Sequence, residues 1–166
     1  MDAQQQAHGR AAHAGRVRAR NGDTIVSDPA ANKQVIEKFW RDLYARDFDA
    51  VGRYFADDGE YTDIPTPPDD VARGPAQIAA RLRLGLEPLA GIYHHPRHMV
   101  AEGNIVMTEH EEEWHWPSGE KVVIPFVSVH EFRDGKLVRW WDYPDLNKLL
   151  GAAPQWWIEH IMKGWQ

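Results

Sequence analysis

Apolar residues recur along this chain with two different periods, and the change between them divides it. Val35, Ile36, Phe39, Trp40, Leu43 and Tyr44 recur at helical spacing. Ser27-Asp28-Pro29 just before them supplies a capping residue and a first-turn proline. A second short helix is expected over 48–55, begun by Asp47 or Asp49 and stopped by Asp57-Asp58-Gly59. Residues 60–64 read as a strand that ends at Pro65, and 65–70 as a proline-rich loop. Gly74-Pro75 opens a further helix carried by Ile78, Leu82 and Leu86. From Tyr93 onward the period becomes that of strands, expected at 94–101, 104–116, 120–132 and 136–143. The turns between them are Glu102-Gly103-Asn104, Pro117-Ser118-Gly119 and Arg133-Asp134-Gly135. Helical pattern returns at 145–150 and 154–165, where Trp156, Trp157, Ile158, Ile161 and Met162 suit either packing on the domain or cover for a pocket mouth.

Helices followed by a run of antiparallel strands predict an α+β domain. A strongly curved, mostly antiparallel sheet would form a cone, closed by the N-terminal helices and enclosing a pocket. Residues 1–28 carry almost no apolar bulk and read as a disordered or loosely attached tail, leaving 29–166 as the single domain.

The strand period also places the polar residues. In 136–143, Val138, Trp140 and Asp142 share one face, with Arg139 and Trp141 on the other. The apolar pair marks that face as buried and points Asp142 into an apolar interior. A carboxylate there is either paired or shifted in pKa, both of which suit a general acid or base. Asp145 is the better cap for the helix that follows. Tyr61 and Asp63 share a face of the first strand. In 104–116, Thr108, His110, Glu112, Trp114 and Trp116 share one face, and Glu109, Glu111, Glu113 and His115 the other. Continuity with Val106 favours the even-numbered face as the inner one, and a β-bulge would exchange the two. His94 and His98 share a face without His95, a weak pattern for a metal, and the sequence has no HExxH pair.

Composition narrows the function further. A net charge of −6 argues against a nucleic-acid partner. No apolar run approaches the ~18 residues of a membrane span, and no apolar segment follows the N-terminus as in a secretory signal. The absence of cysteine excludes disulfides and thiolate metal sites and fits a cytoplasmic location. There is no phosphate-binding glycine loop, no GxSxG elbow and no cysteine nucleophile, so no cofactor is expected.

The order of elements, with Glu60-Tyr61-Thr62-Asp63-Ile64-Pro65-x-Pro67-Pro68 and Val138-x-Trp140-x-Asp142-Tyr143-x-Asp145-Leu146, resembles the nuclear transport factor 2-like (SnoaL-like) superfamily over about residues 30–150. Within it the chain looks most like the limonene-1,2-epoxide hydrolase family. That resemblance implies a cofactor-independent enzyme in which water opens an epoxide of an apolar substrate. Tyr61 matches the family's water-holding tyrosine and Asp142 its base, while Asp63 replaces an asparagine. The family's Arg-x-Asp strand motif falls on His110 and Glu112, or on Glu109 and Glu111 if the Pro117-Ser118-Gly119 turn sets the register. With the first match, Glu112 and a protonated His110 give the proton to the leaving oxygen. Trp114, Trp140 and Phe126 are the expected substrate-facing side chains. The same acids would serve an isomerase, dehydratase or cyclase with Tyr61 stabilising an enolate, and the fold also hosts non-catalytic binding modules. A homodimer through the outer sheet face, including Trp141, is a further expectation.

Overall fold

The computed structural model describes residues 28–64, 66 and 70–164. Apart from Asp28, the expected N-terminal tail lies outside them, as does most of the proline-rich loop. Asp28 caps helix α1 (Pro29–Tyr44) through bonds from the Ala30 and Ala31 amides, and Pro29 fills the first turn, where no amide donor is needed. Asp47 caps α2 (Phe48–Arg53). Strands β1 (Phe55–Asp63) and β2 (Ala72–Arg73) precede α3 (Gly74–Leu86). Four long strands follow: β3 (Gly91–Glu102), β4 (Ile105–His115), β5 (Lys121–Arg133) and β6 (Lys136–Pro144). Helices α4 (Leu146–Ala152) and α5 (Gln155–Gly164) end the described chain.

The strands form one curved, unclosed sheet in the order β2-β1-β6-β5-β4-β3. Strands β3 to β6 pair antiparallel as consecutive hairpins, and β1 lies parallel to β6. This is the α+β cone expected from sequence. Helix α1 lies against the inner face of β3 and β4, where Ile36, Phe39, Trp40 and Leu43 are buried. Phe39 meets Trp140 edge-on with ring centroids 4.9 Å apart, and Tyr61 stacks on Trp140 at 4.0 Å. Each such large apolar side chain contributes about 1.5–3 kcal/mol when fully buried. This cluster ties α1, β1 and β6 together.

The structure corrects three local expectations, each at a point where strand register shifts. Asp57-Asp58-Gly59 does not stop a helix: α2 ends at Arg53, and the three residues lie within β1, where pairing with β6 shifts between Phe55 and Glu60. Val138 does not share the buried face of Trp140. A shift between Glu131 and Phe132 puts Leu137 opposite Phe132 and makes Leu137 the core residue. His94 and His98 do not share a face, because β3 shifts register between Pro96 and His98. His94 turns toward Trp40 and Tyr44, whereas His98 lies outside and meets Glu109 at 2.7 Å. By contrast, β4 pairs with β5 residue for residue from Ile105 to His115, so the even-numbered face is the inner one throughout.

Candidate functional site

Alternation on β4, β5 and β6 puts polar groups into an otherwise apolar interior. The inward residues of β4 are Val106, Thr108, His110, Glu112 and Trp114. Those of β5 are Val122, Ile124, Phe126, Ser128, His130 and Phe132. Asp142 follows Trp140 on β6, and the parallel register sets Asp63 beside Asp142 and Tyr61 beside Trp140. Asp145 caps α4 through the Lys148 amide, which frees Asp142 from any capping role.

These residues meet in a cavity of about 470 Å³. Tyr61, Asp63, Arg81, Glu112 and Asp142 supply its main polar groups. Apolar walls come from Leu43, Leu82, Trp114, Phe126 and Trp140, and the mouth from Leu149, Leu150, Trp157, Ile161 and Met162 of α4 and α5. Helix α5 is fixed there by Trp157, whose indole donates to the Gly85 carbonyl at 3.0 Å and whose ring packs 5.7 Å from both Trp114 and Trp116. The C-terminal helices therefore cover the pocket mouth as well as packing on the domain.

Two carboxylates in this cavity are held in the same way. Asp142 Oδ1 accepts a bond from the Trp140 indole at 2.6 Å and a short one from the Ser128 hydroxyl. Its Oδ2 lies 3.4 Å from the Tyr61 hydroxyl. Glu112 Oε2 accepts from the Trp114 indole at 2.7 Å, and Oε1 from the Tyr44 hydroxyl at 2.5 Å. In each case a tryptophan two residues away on the same strand face supplies a donor that cannot also accept.

Burial dominates the electrostatics. It raises Glu112 to about 7, opposed by the bonds from Tyr44 and Trp114 and reinforced by Asp63. It also raises Asp142 well above the usual carboxylate range, with the nearby Asp63 adding to the effect and Ser128 opposing it. Burial likewise pushes Asp63 up, against the Arg81 guanidinium and the Tyr61 hydroxyl that favour its charged form. Two acids so close cannot both ionise easily, so they titrate as a coupled pair and hold at least one proton near neutral pH.

Tyr61, Asp63, Glu112 and Asp142, together with the apolar Trp114, Trp140 and Phe126, all line the cavity as expected from sequence. His110 does not line it. Its Nε2 lies 2.9 Å from Ser128 Oγ, and its ring stacks near Phe126 and Trp40. Burial depresses its pKa to about 3, so at neutral pH it is an uncharged imidazole behind Asp142, in correction of the protonated donor expected beside Glu112. Among the described residues, no group of three or more His, Asp or Glu side chains is arranged to hold a metal ion.

Sequence reasoning missed three residues. Arg81, on α3, bonds Asp63 at 3.0 Å and Asp70 at 3.1 Å; it stands three residues after Ile78, beside the apolar stripe, where nothing marks it. Tyr44 ends the apolar pattern of α1 and reads as core. Ser128 left a usable signal: it is the one small hydroxyl residue in the inward alternation from Val122 to Phe132.

Comparison with known proteins agrees with this architecture. The family model described as a SnoaL-like domain matches residues 36–140. No curated protein matches the chain. Among solved structures, an M. tuberculosis LEH-like epoxide hydrolase superposes with a TM-score of 0.62 at 23% identity, over 82% of this chain and 92% of that one. SalBIII, an epoxide hydrolase/cyclase-like enzyme in pyran ring formation in polyether salinomycin, gives 0.63 at 19% identity, over 73% and 95%. TerC, co-crystallised with polyporic acid, gives 0.64 at 22% identity, over 74% and 97%. At these identities the superpositions establish the fold.

Proposed function

The chain belongs to the SnoaL-like domain family, and from that premise we propose that it is a cofactor-independent enzyme in which water opens an epoxide of an apolar small molecule. The observation that carries this reading is the convergence of Asp63, Glu112 and Asp142 with Tyr61 in one apolar cavity of about 470 Å³. Cavities of roughly 300–1,000 Å³ suit small ligands. A binding module has no need of three clustered acids, two of them buried, which work against its stability.

In this mechanism Tyr61, Asp63 and Asp142 Oδ2 hold a water molecule. Asp142 takes its proton as the oxygen attacks an epoxide carbon, the carbon–oxygen bond breaks, and Glu112 gives its proton to the leaving oxygen. The product is a diol; Asp142 ends protonated, Glu112 ionised, and a proton transfer resets the pair. Burial bears on both roles near neutral pH: it makes Asp142 a stronger base in the fraction of molecules that carry it ionised, and it keeps Glu112 partly protonated. Turnover of a panel of apolar epoxides in ¹⁸O-labelled water tests the reading. One labelled oxygen per diol is expected, with loss of activity in Asp142→Asn at retained fold. Full activity in that variant would sink the mechanism.

A second reading is an isomerase, dehydratase or cyclase acting on a steroid- or polyketide-like substrate. It is favoured by the placement of Asp63, Glu112 and Asp142 in one cavity, where an ionised acid can take a proton from carbon and a protonated one can return it. Solvent hydrogen exchange into the product without ¹⁸O incorporation identifies it.

We also propose that the chain is cytoplasmic, in keeping with its lack of cysteine, and pairs as a homodimer through the outer face of β3–β6. Support comes from exposed Tyr93, Met107, Val123 and Tyr143, from the ion pair Arg97–Glu111, and from Trp141 beneath the Arg139 guanidinium at 3.7 Å. Light scattering that gives a monomer mass would remove the dimer. No described helix is long and apolar enough to cross a membrane.

A further inference from the structure

Asp142 is held from behind by a chain of donors that sequence comparison does not supply. Its Oδ1 receives two protons' worth of hydrogen bonding, from the Trp140 indole and from Ser128. The hydroxyl has a single hydrogen. With that hydrogen committed to Asp142, Ser128 Oγ must accept from its other neighbour, His110 Nε2 at 2.9 Å. A neutral imidazole carries one N–H, and this geometry puts it on Nε2. His110 Nδ1 has no hydrogen-bond partner, and the imidazole packs among aromatic rings, its centroid 4.7 Å from that of Trp40 and 5.3 Å from that of Phe126. Nothing around Nδ1 rewards placing the proton there.

We infer that Ser128 and His110 are positioning residues for Asp142, and that the chain His110–Ser128–Asp142 confines the titrating proton of Asp142 to Oδ2, the oxygen beside Tyr61. The reason is chemical. The Trp140 indole can only donate, so a proton on Oδ1 would confront the indole hydrogen, whose nitrogen lies 2.6 Å from that oxygen. Placing the proton on Oδ1 would also force Ser128 to turn its hydrogen away, toward a nitrogen that already carries one. The unfavoured state spreads along the whole chain, whereas a proton on Oδ2 disturbs nothing behind the carboxylate. On that side the Tyr61 hydroxyl can accept from Asp142 while donating to Asp63 at 3.0 Å, and the Arg81 bond to Asp63 favours the charged form of that acceptor.

The inference rests on the reading of Asp142 as the reacting carboxylate, but its test uses no turnover. The groups that face Asp142 and bear on its titration are Tyr44 on α1, Tyr61 and Asp63 on β1, Glu112 and His110 on β4, Ser128 on β5, Trp140 on β6 and Arg81 on α3. In aspartate ¹³C-labelled at the carboxyl carbon, the Asp142 signal is identified by its loss in Asp142→Asn and followed against pH. Ser128→Ala removes a donor to the charged form, so the midpoint rises by about one pH unit. Ser128→Thr keeps the hydroxyl and returns the midpoint to the wild-type value.

His110→Phe keeps the ring but not the N–H, and raises the midpoint by a smaller amount. His110→Gln, which restores an N–H donor, reverses that rise. Because His110 acts through Ser128, His110→Phe adds nothing in the Ser128→Ala background. A wild-type midpoint in folded Ser128→Ala overturns the inference. So does an equal, additive rise from His110→Phe with and without Ser128. If the titration behaves as expected but no epoxide is turned over, the proposed reaction fails and the positioning chain stands.

Discussion

Asp63 and Asp142 stand side by side on the parallel strands β1 and β6, and the single hydroxyl of Tyr61 lies 3.0 Å from the first and 3.4 Å from the second. One hydrogen therefore serves two acids, and the state of one acid governs the other. Arg81 breaks the symmetry: its guanidinium bonds Asp63, which favours charge there and leaves the exchangeable proton to Asp142 and Glu112. The arrangement has consequences for stability as well as chemistry.

Glu112 gives the first. Its pKa is raised from 4.5 to about 7, so its contribution to stability is full below pH 4.5 and is lost as pH rises through 7. Glu112→Gln removes that dependence. The amide oxygen can still accept from Trp114, and the amide nitrogen can donate to the Tyr44 hydroxyl, which then turns from donor to acceptor. Chemical denaturation at pH 5 and pH 8 is expected to show a gap between the two stabilities that shrinks by about 2–3 kcal/mol in the variant. An unchanged gap would mean that Glu112 is not desolvated in solution.

Arg81 gives the second. Its side chain is only 9% exposed and joins Asp63 to Asp70. Arg81→Met leaves Asp63 buried beside Asp142 without its cation. Breaking a buried pair from one side costs about 3–5 kcal/mol, and the partial exposure of Asp63 puts this site at the lower end. Urea unfolding checks it. Adding Asp63→Asn to Arg81→Met should recover part of the loss, since no carboxylate is then stranded.

Trp157 gives the third. It is buried between Trp114 and Trp116 and anchors α5 to α3. Trp157→Ala is expected to destabilise by about 3–5 kcal/mol and to leave the mouth open. A solvatochromic apolar dye read by fluorescence should enter the variant more weakly, with a blue shift smaller than in the wild type.

The buried histidines give the fourth. His94, His110 and His130 surround Trp40 at 4.7–5.3 Å, and burial lowers them from 6.5 to about 4, 3 and 3. The unfolded chain takes up protons below pH 6.5 while the native state does not. The stability these groups contribute is present above pH 6.5 and lost as pH falls toward 3. Between pH 7 and 4 the melting temperature of His130→Phe should change more favourably than that of the wild type, because the variant loses one of the three groups that bind protons only when unfolded.

Much of this was legible in the sequence because it depends on local period. The helical spacing of Ile36, Phe39, Trp40 and Leu43 marks α1, and strand alternation brings Trp140 and Asp142 to one face whatever the rest of the chain does. The even-numbered face of β4 was favoured by Val106 and Trp114 for the same reason, which placed Glu112 correctly. Period fails where register shifts. Val138, His98 and Asp57-Asp58-Gly59 each lie at such a shift, and one inserted residue reverses every side chain beyond it.

The sequence by itself determined the α+β architecture and the inward direction of Asp142, and favoured that of Glu112, since backbone geometry alternates side chains and burial selects the apolar face; the direction of Tyr61 was left to the structure. Only the tertiary structure decided their partners. Arg81 reaches Asp63 from a helix 18 residues on, Tyr44 reaches Glu112 from 68 residues away, and Ser128 reaches Asp142 across a β ladder. It also decided that His110 is neutral. Partner and charge depend on distance and desolvation, which arise only when separate segments close around one cavity.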